Sequence, residues 1–355
     1  MKILLFVDKL FGGGGERVAS ILLNHLCANH CVTAVIFNDK LPTYPLNPQI
    51  KIQKITIEGK IRILHPIERI IKICELIKKH NPHLIISFMV ELSIFVLLAN
   101  FFTRKKLIVS EQTSIQAKHP MRDRFTRSIL YRFASKVVFV SESDCNYAKW
   151  LKNKTFIYNP LSCGIIDEQP QREKTIVAIS SQRRWHVKGF DLLIQAWSII
   201  AQTHPDWKLQ FVGANNDNYI SDLTKSYGIE SQVDFLGWSD EIDKVLQTKS
   251  IYVLSSRREG FPCSLLEAMS QGCACVAFDC KTGPNEIITD GKSGLLAHNG
   301  DVNDLATKLQ LLIEDEKLRQ RLSVGAVEGV MRFDKELIMK QWNELIEEVT
   351  QRAQM

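Results

Sequence analysis

Two cations in the second half of the chain have types and spacing that suit phosphate chemistry. Arg183 and Lys188 stand five positions apart in a short segment between a predicted strand and a predicted helix. The carboxyl ends of strands in open α/β sheets are where such proteins bind ligands. Arginine offers phosphate oxygens a planar fork of donors and lysine offers a point charge, so the pair suits a diphosphate.

A later segment adds two carboxylates. Glu259 lies in a predicted turn, and Glu267, eight positions on, lies within the helix that follows. Each carboxylate can accept hydrogen bonds from a pair of vicinal hydroxyls, one pair on a ribose and the other on a sugar. The start of that helix can hold a phosphate through backbone amides. The expected contacts along the turn and the helix start are Gly260, Phe261, Cys263, Ser264 and Leu265.

Four glycines, residues 12–15, follow the first predicted strand and open the first predicted helix. They do not match a dinucleotide-binding fingerprint, because the third glycine of that pattern would fall on Arg17 or Val18. A flexible turn is the plain alternative. The functional interpretation makes Gly14 and Gly15 ligand contacts at a helix N-terminus, where an anion is favoured.

Short apolar runs alternate with helical patterns along the whole chain, which predicts parallel sheets covered by helices on both faces. A length of 355 residues suits two such α/β domains. We therefore expect two Rossmann-like domains facing a cleft. The polar, irregular residues 162–174 are the candidate linker between them.

The most apolar stretch, residues 84–102, is nearly long enough to span a membrane. Glu91 near its centre would cost roughly 3 kcal/mol there, so a buried strand followed by a core helix is favoured. The first residues lack the apolar core of a secretory signal. Nine cysteines without regular spacing indicate reduced thiols in a cytoplasm, and Cys273, Cys275 and Cys280 lack the partners of a metal site.

Charge is divided unevenly: residues 1–160 carry a net charge of +13 and the remainder −7. A basic, partly apolar stretch in the first half suits an anionic membrane surface or a polyprenyl-diphosphate acceptor. A solvated basic helix is an equal alternative, and nucleic acid is disfavoured because no recognised binding module accompanies the charge. The stretch comprises Arg104, Lys105, Lys106, Lys118, Arg122, Arg124, Arg127, Arg132 and Lys136, interleaved with Phe101, Phe102, Phe125, Ile129, Leu130 and Phe133.

The spacing of Glu259 and Glu267, with seven residues between them, resembles the E-x7-E motif of retaining glycosyltransferases of family 4, which have the GT-B fold. The resemblance covers nearly the whole chain and is greatest to bacterial enzymes that extend lipid-linked oligosaccharides, capsule or O-antigen repeats. Further matching segments are residues 12–17, Arg183 with Lys188, and residues 235–237, 283–288 and 291–296.

This resemblance implies a division of labour. Arg183 and Lys188 would neutralise the leaving diphosphate in place of a metal ion, Glu267 would bind the ribose, and Glu259 would hold the donor sugar. The terminal helix would cross back onto the first domain, giving domains of residues 1–160 with 333–355 and residues 161–332. Family members often read Ser-Glu-His in the first domain, whereas this chain has Gln112 in place of the histidine.

The expected function is therefore transfer of a hexose or N-acetylhexosamine, from UDP in particular, to a saccharide or polyprenyl-linked acceptor at the inner face of the cytoplasmic membrane. No metal or other cofactor is expected. A nucleotide-sugar 2-epimerase of the same fold, which needs no acceptor, is the main alternative, and the spacing of the two glutamates favours transfer. A non-catalytic sugar-nucleotide-binding protein and an NAD-dependent oxidoreductase are weaker alternatives.

Overall fold

A computed structural model describes residues 1–38, 40, 42–58, 64–167, 170–180, 184–213 and 218–351. The chain forms two compact units. The first comprises Met1–Pro160 together with the chain from Lys335 onward, and the second comprises Leu161–Asp334. Each unit is built on one parallel sheet with helices around it, which confirms the predicted α/β class.

The described residues of the first unit form a seven-stranded sheet in the order β3-β2-β1-β4-β5-β6-β7. Every paired strand is parallel to its neighbour; Phe6, for example, stands beside Val35 and Ser87. All five residues of β4 are buried, as expected for a central strand covered on both faces. The strands are β1 (Lys2–Phe6), β2 (Cys31–Ile36), β3 (Lys51–Lys54), β4 (Leu84–Phe88), β5 (Lys106–Glu111), β6 (Lys136–Phe139) and β7 (Lys154–Phe156).

Helices of the first unit begin and end at recognisable signals. A proline lies in the first turn of α2, which ends at Asn81 in the left-handed conformation. Met89 precedes α3 with a φ of 66°, and Arg104 follows it with a φ of 52°. The helices are α1 (Gly14–Leu26), α2 (His65–His80), α3 (Val90–Thr103), α4 (Met121–Ser128), α5 (Glu142–Tyr147) and α13 (Lys335–Gln351), with a 3-10 helix at Leu130–Phe133.

The C-terminal helix α13 belongs to the first unit. Its buried face includes Trp342, which is 2% exposed. Two polar contacts fix it to the first unit: Lys136 Nζ lies 2.9 Å from Glu348 Oε1, and His25 Nε2 lies 3.1 Å from Asn343 Oδ1.

The described residues of the second unit form a six-stranded parallel sheet in the order β10-β9-β8-β11-β12-β13. Its core is aromatic as well as aliphatic: Trp197 is fully buried, and the rings of Phe190 and Phe211 pack 4.4 Å apart. The strands are β8 (Glu173–Ile179), β9 (Lys208–Val212), β10 (Val233–Gly237), β11 (Lys249–Leu254), β12 (Ala274–Asp279) and β13 (Leu295–His298).

Helices alternate with these strands. Capping carboxylates start two of the helices: Asp301 accepts from the amides of Asn303 and Asp304, and Asp315 from that of Leu318. The helices are α6 (Phe190–Ile200), α7 (Asn218–Ser226), α8 (Ile242–Gln247), α9 (Cys263–Ser270), α10 (Pro284–Ile287), α11 (Val302–Glu314) and α12 (Glu316–Val330), with 3-10 helices at Ala201–Thr203, Glu230–Gln232 and Met331–Phe333.

Strand order explains where each unit can bind a ligand. The order reverses between β1 and β4 in the first sheet and between β8 and β11 in the second. At such reversals the loops after the two strands diverge and leave a crevice at the carboxyl edge. The glycine loop follows β1, Lys188 follows β8 and Glu259 follows β11. The candidate ligand-binding segments therefore lie where the strand order of each sheet reverses.

No helix in the described part of the chain is long and apolar enough to cross a bilayer. The stretch 84–102 instead divides into β4 and α3, as predicted. Helix α4 was not predicted from the sequence. Asp123, Thr126 and Arg127 are buried whereas Met121 and Phe125 are exposed, so the usual polarity of a surface helix is partly reversed there.

Candidate active site

The turn after β8 is bound tightly to the loop after β11. Gly189 has a φ of +64°, and a Cβ there would lie 2.0 Å from the carbonyl oxygen of Ser255. Only glycine fits both constraints. The Ser255 hydroxyl in turn donates to the Lys188 carbonyl oxygen at 2.8 Å. The backbone therefore carries Lys188 to the loop that contains the first glutamate.

Lys188 and Glu259 are in direct contact, although 71 positions separate them in the sequence. Lys188 Nζ lies 2.7 Å from Glu259 Oε1, and the Ser256 hydroxyl donates to the same oxygen at 2.5 Å. The lysine and glutamate side chains are 17% and 12% exposed. The predicted diphosphate-binding cation and the predicted sugar-binding carboxylate thus lie in direct contact.

Arg257 braces the same two segments. Its guanidinium donates to both carboxylate oxygens of Asp191, at 2.7 and 2.6 Å, and to the His186 carbonyl oxygen at 2.7 Å. Burial raises the pKa of Asp191, but the hydrogen bonds and charge of Arg257 outweigh it and hold that pKa below its usual range. Arg257 therefore positions the loop of Glu259 and is not free to bind a ligand.

The loop after β12 supports Glu259 from the other side. The Thr282 hydroxyl donates to the Glu259 carbonyl oxygen at 2.5 Å. Gly283 has a φ of +95°, and a Cβ there would lie 2.8 Å from the Gly260 carbonyl oxygen. The segment 283–288, matched in the sequence to a late family loop, thus lies against Gly260.

Glu267 lies within α9 and is 5% exposed. Its Oε1 accepts from the Ser162 hydroxyl at 2.8 Å, so the start of the predicted linker reaches this carboxylate. Nothing in the spacing of Ser162 identified it, because it lies 105 positions away in an irregular segment.

The remaining positions of this loop can serve a ligand mainly through their backbone. Phe261 is 4% exposed and its ring packs 5.3 Å from that of Phe333, while Leu265 is fully buried. The Ser264 hydroxyl accepts from Tyr252 at 2.8 Å. Helix α9 has no side-chain cap, which leaves its start suited to an anion near Cys263.

In the first unit, the glycine loop meets two other strand ends. A Cβ on Gly15 would lie 2.6 Å from Met89 Cε and 3.6 Å from Gln112 Cβ. Gly14, the first residue of α1, is exposed. The carboxylate of Glu16 folds back beside Gly13, where it supplies a negative charge at this helix N-terminus. The anion at the N-terminus of α1 is therefore the protein's own Glu16 carboxylate.

Gln112 is oriented by one hydrogen bond and keeps one acceptor. Its Nε2 donates to the Ser110 hydroxyl at 2.8 Å. Its Oε1 is buried and has no partner among the described residues. Since buried polar atoms are nearly always paired, this oxygen is suited to a ligand hydroxyl or amide.

The neighbouring Glu111 points into the protein and is structural. It is fully buried and accepts from Arg127 Nε at 2.9 Å, from the Tyr131 hydroxyl at 2.8 Å and from the Thr113 hydroxyl at 2.7 Å. Burial raises the pKa of Glu111, but the guanidinium of Arg127 outweighs it and keeps the carboxylate charged.

This contact corrects one assignment. Arg127 was expected on the basic surface, but it is 4% exposed and paired with Glu111, because the polar side of α4 faces the protein. Lys136 is likewise paired, with Glu348. The exposed cations of the stretch are Arg104, Lys118, Arg122, Arg124 and Arg132.

Arg183, the other predicted diphosphate ligand, lies outside the described residues. Within the described ranges no group of three or more histidine, cysteine or acidic side chains could hold a metal ion.

Burial raises the pKa of the Cys273 thiol to about 11, which makes it an inert core residue.

Comparison with known proteins places these features in a family. Residues 165–328, which contain the site of the second unit, match the model of glycosyl transferases group 1. The amylovoran biosynthesis glycosyltransferase AmsD of Erwinia amylovora is 29% identical over 97% of this chain and 99% of that protein. An N-acetylgalactosaminyltransferase of Campylobacter jejuni that acts on an undecaprenol-diphosphate-linked glycan is 27% identical over 98% of this chain and 99% of its own.

Solved structures agree on the fold. HepE from Anabaena, crystallised with UDP and glucose, has a TM-score of 0.83 at 21% identity and covers 98% of this chain and 99% of its own. A lipopolysaccharide outer core galactosyltransferase, WaaB, has a TM-score of 0.75 at 21% identity over 98% of this chain and 99% of its own. The chain thus has the GT-B fold, its residues 165–328 match the group 1 glycosyl transferases, and the relatives that align with nearly its whole length are glycosyltransferases.

Proposed function

We propose that this enzyme transfers a hexose or N-acetylhexosamine from UDP to a saccharide or polyprenyl-linked acceptor, with retention at the anomeric carbon and without a metal ion. The observation that carries the proposal is the 2.7 Å contact between Lys188 and Glu259 on a turn that only glycine permits. The contact supports the proposal because a cation that would stabilise the leaving group lies beside a carboxylate that would hold the sugar.

The donor would be held from both ends. Lys188, with Arg183, would neutralise the diphosphate, and Glu267 would accept from the ribose hydroxyls. Glu259 would accept from a hydroxyl of the sugar and so orient the anomeric carbon. The first unit, taken by itself, offers Gln112 Oε1 as an unpaired acceptor that would suit a sugar hydroxyl or an acetamido N–H. Gly14 and Gly15 remain proposed backbone contacts of a ligand.

Retention would follow from attack on the face that the diphosphate leaves. The acceptor oxygen bonds to the anomeric carbon as the bond from that carbon to the β-phosphate oxygen breaks. The departing phosphate takes the acceptor's proton. Most of the rate enhancement would come from stabilising the charge that grows on the phosphate, which is the role of Lys188 and Arg183.

The acceptor is proposed from the relatives and from charge. Two of the Campylobacter relatives act on undecaprenol-diphosphate-linked glycans. The first unit carries exposed cations beside exposed aromatic side chains, which suits an anionic membrane surface. We therefore propose that the enzyme works at the inner face of the cytoplasmic membrane, in the synthesis of bacterial surface glycans.

Titration calorimetry with UDP in the presence of EDTA tests the donor site. UDP should bind without metal, and Glu267→Gln should weaken it about ten- to hundredfold, because hydrogen bonds to a charged acceptor contribute about 1.5–3 kcal/mol. The matched control, Glu230→Gln, changes an exposed glutamate of the same unit and should bind like the wild type. UDP binding that requires a divalent ion contradicts the proposal, as does a UDP affinity that Glu267→Gln leaves unchanged.

A screen of UDP-sugars tests the reaction. NMR of the product should show the anomeric configuration of the donor, and product formation should require an acceptor. An inverted linkage refutes retention. An epimerised nucleotide sugar formed without acceptor would identify the 2-epimerase activity instead.

A further inference from the structure

Helix α4 and the 3-10 helix after it bury several polar side chains and expose large apolar ones. Their inward side is polar: Asp123, Thr126, Arg127 and Tyr131 are between 0% and 4% exposed. Arg127 and Tyr131 both bond to the buried Glu111, so this side is fixed to the protein by an ion pair and hydrogen bonds. A helix that buries its charges against its own domain leaves its apolar side for another environment.

The outward side is a stripe of large apolar side chains at every fourth position. Met121, Phe125, Ile129 and Phe133 are 84%, 55%, 42% and 63% exposed. Met121 and Phe125 lie on one face of α4, Ile129 is its C-cap residue, and Phe133 ends the 3-10 helix that follows. The ring of Phe133 lies 6.5 Å from that of Phe101, which continues the stripe onto the end of α3.

The striped segment and the residues that flank it in sequence carry exposed positive charge, although Lys136 is paired with Glu348. Residues 100–136 contain nine basic and two acidic side chains, and both acids, Glu111 and Asp123, are buried. Arg124 and Arg132 are exposed within the striped segment itself. A second copy of the chain docked symmetrically on this face would bring these like charges together, which disfavours it. An anionic surface with an apolar layer beneath it satisfies both the cations and the stripe.

We propose that the stripe Met121–Phe125–Ile129–Phe133, extended by Phe101, enters the interface of a bilayer of acidic phospholipids and fixes how the first unit lies on it. This deepens the membrane association in the proposed function and rests on it. The segment lies flat on the membrane, since neither helix is long enough to cross it. Helix α4 begins after the loop that follows Gln112, so the stripe starts near the carboxyl edge of the sheet and runs toward its amino edge.

Co-sedimentation with vesicles of phosphatidylcholine, with and without phosphatidylglycerol, tests the stripe. The double variant Phe125→Ser/Phe133→Ser should lower partitioning onto phosphatidylglycerol vesicles by about tenfold or more, since two exposed rings no longer enter the interface. Arg124→Ser/Arg132→Ser should remove part of the salt-sensitive binding. The matched control, Ile199→Ser/Leu311→Ser, alters two exposed apolar residues of the second unit and should partition like the wild type.

Depth is measured separately with a reporter. Brominated lipid should quench the fluorescence of the tryptophan introduced by Phe125→Trp. It should leave the fluorescence of the tryptophan introduced by Ile199→Trp unchanged. The proposal is overturned if the stripe double variant partitions onto vesicles like the wild type. It is also overturned if the wild type is a dimer in buffer and the same substitutions dissociate that dimer. Calorimetry with UDP separates the two ideas. If the wild type binds UDP and the stripe double variant still partitions like the wild type, only the proposal for the stripe is refuted. If the wild type does not bind UDP, the proposed function is refuted.

Discussion

At the scale of single residues, the site depends on the backbone as much as on charged groups. Gly189 lets the turn of Lys188 approach the strand end at Ser255, which brings the ammonium to Glu259. Without that approach the two ionic groups would belong to separate loops. The glycine is therefore as necessary to the pairing as the lysine.

Substituting this glycine should be far more damaging than a left-handed conformation alone explains. Gly228 has nearly the same φ, +65°, but a Cβ added there would have no heavy atom within 4 Å, so Gly228→Ala should cost about 1 kcal/mol. Gly189→Ala adds a contact of 2.0 Å with backbone and should cost about 3 kcal/mol or more. Urea unfolding measures both changes, and equal costs would show that the close approach is unimportant.

At the scale of elements, the loop after β5 is held by a carboxylate on α5. Asp144 accepts from the Ile115 amide at 3.1 Å, from Gln116 Nε2 at 3.2 Å and from the Ser114 hydroxyl at 3.3 Å. Burial raises the pKa of Asp144 from 3.8 to about 6, because these hydrogen bonds only partly offset the loss of water. The native state therefore binds a proton more tightly here than the unfolded chain does.

The sign of the pH dependence follows from that shift. Between pH 4 and 6 the native protein holds this proton and the unfolded chain does not, so the contribution of Asp144 to stability falls as pH rises. Asp144→Asn removes the titration. The free energy of unfolding of the variant, relative to the wild type, should rise by about 3 kcal/mol between pH 3 and 8. A difference that stays constant with pH in chemical denaturation contradicts this.

The elements also show how far sequence patterns reach. Strand-helix alternation predicted both sheets. The Glu259–Glu267 spacing selected a loop that the structure places in contact with Lys188, and its role in binding a donor stays a prediction. Helix α4 was missed although Met121 and Phe125 have helical spacing, because eight residues rich in charge give too short a periodic pattern. Arg127 was assigned to the surface because charged side chains are seldom buried unless they are paired. Ser162 and Met89 were not identified because their contacts join segments that are distant in the sequence and leave no local spacing.

At the scale of the whole molecule, the first unit is made from two distant parts of the chain. Trp342 on α13 is buried, so Trp342→Ala should destabilise this unit by about 3–5 kcal/mol. Hydrogen exchange of the native protein should then speed up at β1 and β4 but not at β8 and β11. Glu344→Ala, on the exposed side of the same helix, is the control. Equal acceleration in both sheets would show that the units do not unfold independently.

The contact between Lys188 and Glu259 has a consequence for turnover. Each ion is the counter-ion of the other, so a nucleotide that draws the ammonium to its phosphates must release the carboxylate. In the proposed reaction a donor with its sugar would offer a hydroxyl in exchange, whereas spent UDP would offer none and would leave Glu259 with the Ser256 hydroxyl. Re-forming the ion pair would then favour release of the spent nucleotide over loss of a loaded one, and the protein would compete with its own product for the same lysine.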